Sequence, residues 1–296
     1  MGSNSVLLLV AERGESGWRT VLETSEVTGL GTGTRQSRKL RPDAQERTLA
    51  AIKKAFEAAA ELGAPCVAAG TMALRLAENA GAFQQAAERQ GTPVGIISGD
   101  EEAQLGTSAV MDDAAFADCV RVSVVDTGGH STELTTAERT GAGFKVLFRR
   151  SFPIGALGRL EGPMADESPG LGARLSAVEL IDDTIGLQYL PAQAGTAVAL
   201  GATPTNLVAM REQLIEWDAE RVHGQRLDFE EVSKAAGSLC DMTSAERAAL
   251  VGLENGRERT IHIGALILER FLQSLHVVGC AVSTRGWRHA LLERDI

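Results

Sequence analysis

The sequence predicts an α/β protein built from two similar halves. Apolar segments of strand length alternate with helical segments along most of the 296 residues, a pattern typical of a mostly parallel sheet covered by helices. Both halves open with apolar strands beside a turn that contains Gly and Ser. Residues 111–118 show little apolar pattern and separate the halves. We therefore expect domains at 1–113 and 114–284, with a C-terminal helix at 285–296 that can pack back on the first domain.

In the first half, two strands are joined by a tight turn and a helix follows. The helix begins at Pro42, whose fixed φ suits a first helical turn, and ends before Gly63. Apolar residues recur along it at helical spacing, so one face should be buried. The predicted strands are 6–10, 18–22, 66–69 and 94–97, and the predicted helices are 42–62, 72–79, 83–89 and 101–110.

The second half begins with three strands in succession and continues as strands and helices in alternation. The strand at 197–200 ends at Gly201, before a helix. The predicted strands are 122–125, 134–137, 144–149, 197–200 and 277–282, and helices are expected at 174–186, at 205–216, within 228–273 and from 285.

Composition excludes several classes of protein. The net charge of −10 argues against a nucleic-acid binder, and no apolar run is long enough to span a bilayer. We expect a cytoplasmic protein that binds neither nucleic acid nor membrane. The cysteines lack a C-x-x-C spacing, so buried free thiols are favoured over disulfides or a metal site; they are Cys66, Cys119, Cys240 and Cys280.

Positive charge is concentrated in one glycine-rich segment. It holds Arg35, Arg38, Lys39 and Arg41, and follows Gly29, Gly31 and Gly33. A solvated loop is the simpler interpretation. The alternative is a rim that attracts anions toward a site behind it.

The sequence is organised around residues 124–133. An apolar strand there ends on Asp126, and Gly128 and Gly129 follow within three residues, which turns the backbone and exposes its N–H groups. Such a turn suits a phosphate, and Ser131 could add a donor. Asp126 and Glu133 supply oxygen ligands of the kind that Mg²⁺ accepts. The simpler alternative is a hairpin turn without a ligand.

Two further turns occupy comparable places. Gly2-Ser3-Asn4-Ser5 lies beside the first strand as Gly128-Gly129-His130-Ser131 lies beside its counterpart. Two such loops could hold one phosphate chain between them across an interdomain cleft. Gly201-Ala202-Thr203, before a helix, is a weaker third candidate, since most strand-to-helix glycines are structural.

Candidate catalytic groups follow the strand at 94–97. Ser98 and Glu101 have the spacing of a capping box, which leaves Glu102 about 100° further round the helix, free to act as a general base. Arg75 could clamp phosphate oxygens; the alternative is an exposed helical arginine.

These segments together resemble the exopolyphosphatase and guanosine pentaphosphate phosphatase (Ppx/GppA) family, within the superfamily of actin and sugar kinases. The resemblance covers nearly the whole chain, and the order and spacing of the motifs are its most specific feature. The matching segments are Gly2 to Ser5, Thr71 to Arg75, Ser98 to Ala103, Val125 to Leu134, Phe152-Pro153-Ile154-Gly155-Ala156, Arg221-Val222-His223-Gly224 and Ser283-Thr284-Arg285-Gly286.

The resemblance implies two ribonuclease-H-like domains and hydrolysis of a terminal phosphoanhydride. Glu102 would be the catalytic base, and Asp126 and Glu133 would bind Mg²⁺ or another divalent cation, or orient the attacking water. The implied phosphate-binding residues are Ser3, Asn4, Ser5, Arg75, Gly128, Gly129, His130 and Ser131. A homodimer is also implied as possible.

Several positions depart from the family pattern. The family's first loop begins Ile-Asp-x-Gly-Ser-Asn-Ser, whereas Met1 directly precedes Gly2 in this sequence. Leu7, Gly29 and Gln104 stand where arginine is common, and His130 stands where a third glycine is usual. We expect these changes to weaken catalysis and the binding of polyanions.

Three hypotheses follow. The first is an exopolyphosphatase that releases orthophosphate from inorganic polyphosphate, and the second is a guanosine pentaphosphate 5′-phosphohydrolase. The third is a regulator that binds polyphosphate or guanosine polyphosphate with weak or no turnover. An actin-like ATPase or sugar kinase is less favoured, because no adenosine-pocket glycine signature is found beyond Gly201-Ala202-Thr203.

Overall fold

The computed structural model describes residues 1–15, 17–159, 164, 168–186 and 193–293. The chain divides into two compact units, Met1–Glu102 with the chain from Leu291, and Ala103–Ala290. The division falls inside helix α5, Gly99–Met111. The division shows only which residues pack into one compact unit. The predicted domain limits at 113 and 284 therefore stay a prediction. The end of the predicted C-terminal helix, 294–296, lies outside the described residues.

The first unit contains two pairs of strands and the helices that cover them. Strands β1 and β2 form an antiparallel hairpin, and β3 and β4 pair in parallel. Helix α2 begins at Pro42 as predicted. The elements are β1 (Ser5–Gly14), β2 (Gly17–Val27), α1 (Thr34–Ser37), α2 (Pro42–Glu61), β3 (Ala68–Gly70), α3 (Met72–Leu76), α4 (Ala80–Arg89), β4 (Val94–Ile96) and the start of α5.

The core of the first unit lies under α2. Ile52 on the predicted apolar face is buried in one apolar cluster with Leu74, Phe83 and Leu40. Removing such side chains from water is the main stabilising contribution, at about 25 cal/mol per Å² of apolar surface. The helical periodicity of the sequence therefore identified the buried face correctly.

The second unit is a six-stranded sheet with helices on both faces. Its strand order is β7-β6-β5-β8-β10-β9. The elements are the rest of α5, a 3₁₀ turn (Ala114–Phe116), β5 (Arg121–Thr127), β6 (Thr132–Thr140), β7 (Gly143–Phe152), α6 (Ala156–Arg159), α7 (Leu171–Ile185), β8 (Thr196–Leu200), α8 (Ala202–Arg211), α9 (Ala219–Val222), β9 (Arg226–Asp228), α10 (Phe229–Asp241), α11 (Ser244–Ala248), α12 (Ile261–Ser274), β10 (Gly279–Val282) and α13 (Trp287–Leu291).

The expectation of a mostly parallel sheet is wrong for this unit. Only β5, β8 and β10 run parallel, whereas β6, β7 and β9 pair antiparallel with their neighbours. Short turns join β5 to β6 and β6 to β7, and a short turn can connect only antiparallel strands. Parallel pairing occurs here where helices separate the strands along the chain.

The two faces of the sheet are covered by different helices. Val122 and Val124 pack with Val110 and Met111 of α5 on one face. On the other face Phe152 packs against α12, where its ring meets that of Phe271 edge to face at 5.2 Å. Asp126 lies on the α5 side, because side chains alternate along β5.

Two further expectations can be compared with the described residues. All four cysteines are free, but only Cys240 and Cys280 are buried, while Cys66 and Cys119 are partly exposed. Among the described residues, no helix combines the length and the apolar character needed to cross a membrane.

Candidate active site

Residues 128–131, here called the glycine loop, connect β5 and β6 as a tight turn. The Gly128 N–H donates to the Ser131 carbonyl at 2.9 Å. The turn brings Asp126 and Glu133 directly opposite each other in the strand register. Directly opposed residues have Cβ atoms about 4.5–5.5 Å apart and side chains on the same face. The turn is thus a hairpin that also places two carboxylates side by side.

Glycines leave open space around the Asp126 carboxylate. A Cβ at Gly201 would lie 3.2 Å from Asp126 Oδ1 and 3.1 Å from the Thr127 carbonyl, and Gly201 has φ of +90°. A Cβ at Gly106 of α5 would lie 3.9 Å from Oδ2. Gly201 is therefore needed both for its backbone conformation and for the room it leaves beside the carboxylate.

Glu133 is held by a neighbour on β7. Ser151 Oγ donates to Glu133 Oε1 at 2.7 Å, and Glu133 is only 3% exposed. A buried carboxylate is costly unless hydrogen bonds or a cation compensate its charge. No group of three or more His, Cys, Asp or Glu side chains suited to a metal occurs in the described part of the chain. Two carboxylates nevertheless fit Mg²⁺, which is commonly held by one or two carboxylates together with water and phosphate.

The segment after β7 fixes the orientation of the glycine loop. Ala156 N–H donates to the Gly128 carbonyl at 3.1 Å, and Leu157 N–H donates to the Gly129 carbonyl at 2.7 Å. In a trans peptide the N–H points opposite to the carbonyl. The N–H groups of Gly129 and His130 therefore point away from α6, which leaves them oriented as donors for an anion.

Gly155 allows this close approach. A Cβ at Gly155 would lie 2.5 Å from the backbone of Gly129 and His130.

The imidazole of His130 is fully buried. The phosphate-binding roles assigned to Gly128, Gly129, His130 and Ser131 stay predictions.

The first loop, Gly2–Ser5, is held by the glycine-rich segment. Gly31 N–H donates to the Ser3 carbonyl at 2.8 Å, and the N–H groups of Thr28 and Gly29 donate to the Asn4 carbonyl at 2.9 Å. Ser3, Asn4 and Ser5 are all buried. These bonds turn the carbonyls of Ser3 and Asn4 toward residues 28–31, so the N–H of Asn4 points away from them. The three phosphate contacts expected here stay predictions.

The two adjacent glutamates of α5 have different surroundings. Glu101 Oε2 accepts from the Ser98 N–H at 2.9 Å while Ser98 Oγ accepts from the Glu101 N–H at 3.1 Å, so the predicted capping box is present. Glu102 is 9% exposed and its Oε2 accepts from Arg75 Nη2 at 3.1 Å. Burial raises the pKa of Glu102, and Arg75 opposes the rise without cancelling it.

Arg75 is not an exposed helical arginine. Its Nη1 also donates to the Ile97 carbonyl at 2.6 Å, which fixes the guanidinium against the end of β4. A side chain of α3 is thereby joined to the segment between β4 and α5. The predicted contact of Arg75 with phosphate stays a prediction.

Two of the later family segments meet beyond the carboxyl end of β10. His223 Nδ1 accepts from the Thr284 N–H at 3.3 Å, and His223 Nε2 lies 3.1 Å from Asp113 Oδ2. Arg285 Nε lies 3.5 Å from the same oxygen. Burial raises the pKa of Asp113, but its contact with His223, a backbone N–H and Arg285 lower it below the usual value. Asp113 therefore joins three separate parts of the second unit.

The family model of the Ppx/GppA phosphatase family matches residues 9–296 of this chain. The chain belongs to this family. Exopolyphosphatase 2 of Mycobacterium tuberculosis is 28% identical over 288 residues, which cover 93% of this chain and 88% of that protein. The crystal structure of the Aquifex aeolicus family member is 27% identical with a TM-score of 0.80, covering 99% of this chain and 94% of that one. An exopolyphosphatase-like protein is 25% identical with a TM-score of 0.90, covering 99% and 96%.

Family membership confirms the predicted fold class, α/β with two ribonuclease-H-like domains of the actin and sugar-kinase type. The Ppx/GppA chain is accordingly a phosphatase. The match begins after the first loop, so it does not bear on residues 2–5.

Sequence reasoning missed several residues that shape the site. Ser151 orients Glu133, Gly106 faces Asp126, and Arg149 of β7 donates to Gln104 of α5. None of these residues has a local signal, because each acts on a side chain distant in sequence. The Phe152 to Ala156 segment was recognised as a family segment, but its support of the glycine loop was not predicted.

Gly155→Ala tests the support of the glycine loop. Its Cβ must displace backbone, so we expect a loss of about 1–3 kcal/mol in the free energy of unfolding and a marked fall in phosphatase activity. The control is Gly172→Ala, since a Cβ there meets nothing within 4 Å and Gly172 lies in helix α7. Urea unfolding and phosphate release measure both effects. Equal behaviour of the two variants would contradict the assignment.

Proposed function

We propose that this Ppx/GppA chain is an exopolyphosphatase, which hydrolyses the terminal phosphoanhydride of inorganic polyphosphate to release orthophosphate. The observation that carries the proposal is Glu102, a buried carboxylate with a raised pKa next to a glutamate that caps the same helix. A raised pKa suits a general base, because it increases the affinity for the proton that must be accepted. The exopolyphosphatase named among the relatives supports the same activity.

In the proposed reaction, Glu102 accepts a proton from water as the water oxygen attacks the terminal phosphorus. The bond between that phosphorus and the bridging oxygen breaks, and orthophosphate leaves the shortened chain. Arg75 keeps the Glu102 carboxylate in one orientation. The N–H groups of Gly129 and His130 are oriented to donate to phosphate oxygens, where negative charge on the transferred group needs stabilisation.

Asp126 and Glu133 are the proposed ligands of Mg²⁺ or another divalent cation. Such an ion, when bound, neutralises charge on the phosphate oxygens. Ser151 keeps Glu133 oriented for this role through its hydrogen bond to Oε1.

Guanosine pentaphosphate 5′-phosphohydrolysis is the second candidate, because that nucleotide presents the same terminal phosphoanhydride. Competition between the two substrates in one assay distinguishes them. A binding regulator is the third candidate, favoured by Leu7 and Gly29, which stand where arginine is common in the family, and by His130, which stands where a third glycine is usual. It requires saturable binding without release of phosphate, and rapid turnover by this chain would exclude it.

Glu102→Gln tests the base assignment. We expect phosphate release from polyphosphate to fall about 10²–10⁴-fold, the usual contribution of a general base. The adjacent Glu101→Gln is a matched control; Gln also forms the capping box, so this variant should lose less than about 1 kcal/mol of stability and keep most of the activity. Similar rates for the two variants would exclude Glu102 as the base.

Arg75→Gln tests the electrostatic link to Glu102. The base works as a carboxylate, so the rate rises as pH increases through the pKa of Glu102. Arg75 favours the carboxylate; without it that pKa rises further, and the acidic limb of the kcat profile should move to higher pH. The exposed Arg89→Gln of α4 should leave the profile unchanged. If the acidic limb of the kcat profile does not move in Arg75→Gln, the pairing of Arg75 with Glu102 does not control the pH dependence of the rate.

Ser151→Ala tests the carboxylate pair as a metal site. Losing the donor to Glu133 should weaken Mg²⁺ binding about 10–100-fold, as is typical for residues that orient metal ligands. Calorimetric titration of the protein with Mg²⁺ measures this directly. Ser151→Thr keeps the hydroxyl and should restore most of the affinity. If Ser151→Ala binds Mg²⁺ as tightly as the parent chain, Glu133 is not a ligand.

A further inference from the structure

The basic segment, residues 34–41, has no role in the reaction described above. From residue 27 to 42 the chain carries four cations, Arg35, Arg38, Lys39 and Arg41, and no carboxylate, in a protein of net charge −10. A polyanion approaching so acidic a protein meets repulsion over most of its surface. A local concentration of positive charge is therefore where it would be held.

Backbone hydrogen bonds at or near both ends of the basic segment join the chain there to regions of the first unit that carry predicted phosphate contacts. At one end, Gly31 N–H donates to the Ser3 carbonyl in the first loop at 2.8 Å. At the other, the Arg38 carbonyl accepts from the Glu78 N–H at 2.8 Å, two residues beyond the helix that carries Arg75.

Asn79 fixes the same end of the segment through its side chain. Its Oδ1 accepts from the Leu40 N–H at 2.8 Å, and its Nδ2 donates to the Leu40 carbonyl at 3.0 Å. These hydrogen bonds fix the backbone of the basic segment, so it is not a freely moving loop. Its place is beside the residues expected to hold phosphate in this unit.

Two of the four cations are available to a ligand. Arg41 is paired with Asp43 at 3.0 Å, which offsets its charge. Arg38 and Lys39 are exposed, and within the described chain neither forms an ion pair. Arg38 has φ of +57°, a left-handed conformation that is usually left to Gly or Asn. Arg38 therefore places a positive charge at a position where the backbone conformation would favour Gly or Asn.

We propose that Arg38 and Lys39 bind phosphate groups of a polyphosphate chain beyond those held at the site of hydrolysis. The proposal rests on the exopolyphosphatase function proposed above and extends it to the length of the substrate. A long polyphosphate carries charge well past its terminal groups, so it gains from distant cations. Tripolyphosphate has no phosphates beyond its three, and in guanosine pentaphosphate the nucleoside separates the 5′ triphosphate from the two phosphates on the 3′ oxygen.

The experiment compares substrates of different length in two double variants of the full chain. Arg38→Glu with Lys39→Glu reverses the charges, and Arg38→Asn with Lys39→Gln removes them while Asn tolerates the left-handed backbone. The matched controls are the same types of change at Lys53 and Lys54, exposed cations on α2 of the same unit. KM and kcat are measured with long-chain polyphosphate, tripolyphosphate and guanosine pentaphosphate, and binding of long-chain polyphosphate is titrated at several salt concentrations.

Charge reversal should raise KM for long-chain polyphosphate about tenfold or more and leave kcat unchanged, since the proposed contacts are electrostatic and hold phosphates other than the reacting one. Neutralisation should give a smaller rise. KM for tripolyphosphate and guanosine pentaphosphate should change less than about twofold, and the binding of long chains should depend less steeply on salt.

The proposal is overturned if long-chain KM and binding in the Arg38 and Lys39 variants match those of the Lys53 and Lys54 controls. An equal rise in KM for short and long substrates also overturns it, because that result indicates a general effect on the site. If the parent chain releases no phosphate from any substrate, the proposed function fails, and the binding titration still decides this proposal.

Discussion

The hydrogen bonds from α6 to the carbonyls of Gly128 and Gly129 are the constraint on which the candidate functional residues of the second unit depend. They turn the N–H groups of the glycine loop outward and fix the hairpin whose register sets Asp126 against Glu133. Gly155 makes the approach possible, because a side chain there would overlap the loop backbone. These backbone hydrogen bonds thus orient both the N–H groups proposed to bind phosphate and the two carboxylates.

In the first unit, side-chain contacts position the proposed catalytic base. Two neighbouring glutamates on α5 differ in function because one is committed to its own helix terminus and the other is buried beside Arg75. Burial disfavours the charged form of Glu102 while Arg75 favours it, so the pKa is raised only as far as the balance allows. Removing either influence changes the protonation of the proposed base, not only its position.

The charge distribution of the chain suits the proposed substrate. An acidic surface repels polyanions in general, which leaves the basic segment and the oriented N–H groups as the local attractions. Capture of a long substrate and hydrolysis of its terminal bond can then be separate steps that depend on separate residues. Such a separation would allow a chain with Leu7, Gly29 and Gln104 at positions where the family commonly has arginine to bind polyphosphate through other cations.

The sequence by itself determined the features that act over a few residues: the start of α2 at Pro42, the capping box of Ser98 and Glu101, the glycine turn after Asp126 and the buried faces of the helices. Spacing along one element fixes these, so they can be read locally. Only the tertiary structure decided which distant residues meet. It brought Arg75 to Glu102, Ser151 to Glu133 and Gly201 to Asp126, and it made much of the sheet antiparallel. Each of these depends on how strands pair and helices pack, and local propensity carries no information about partners far away in the chain.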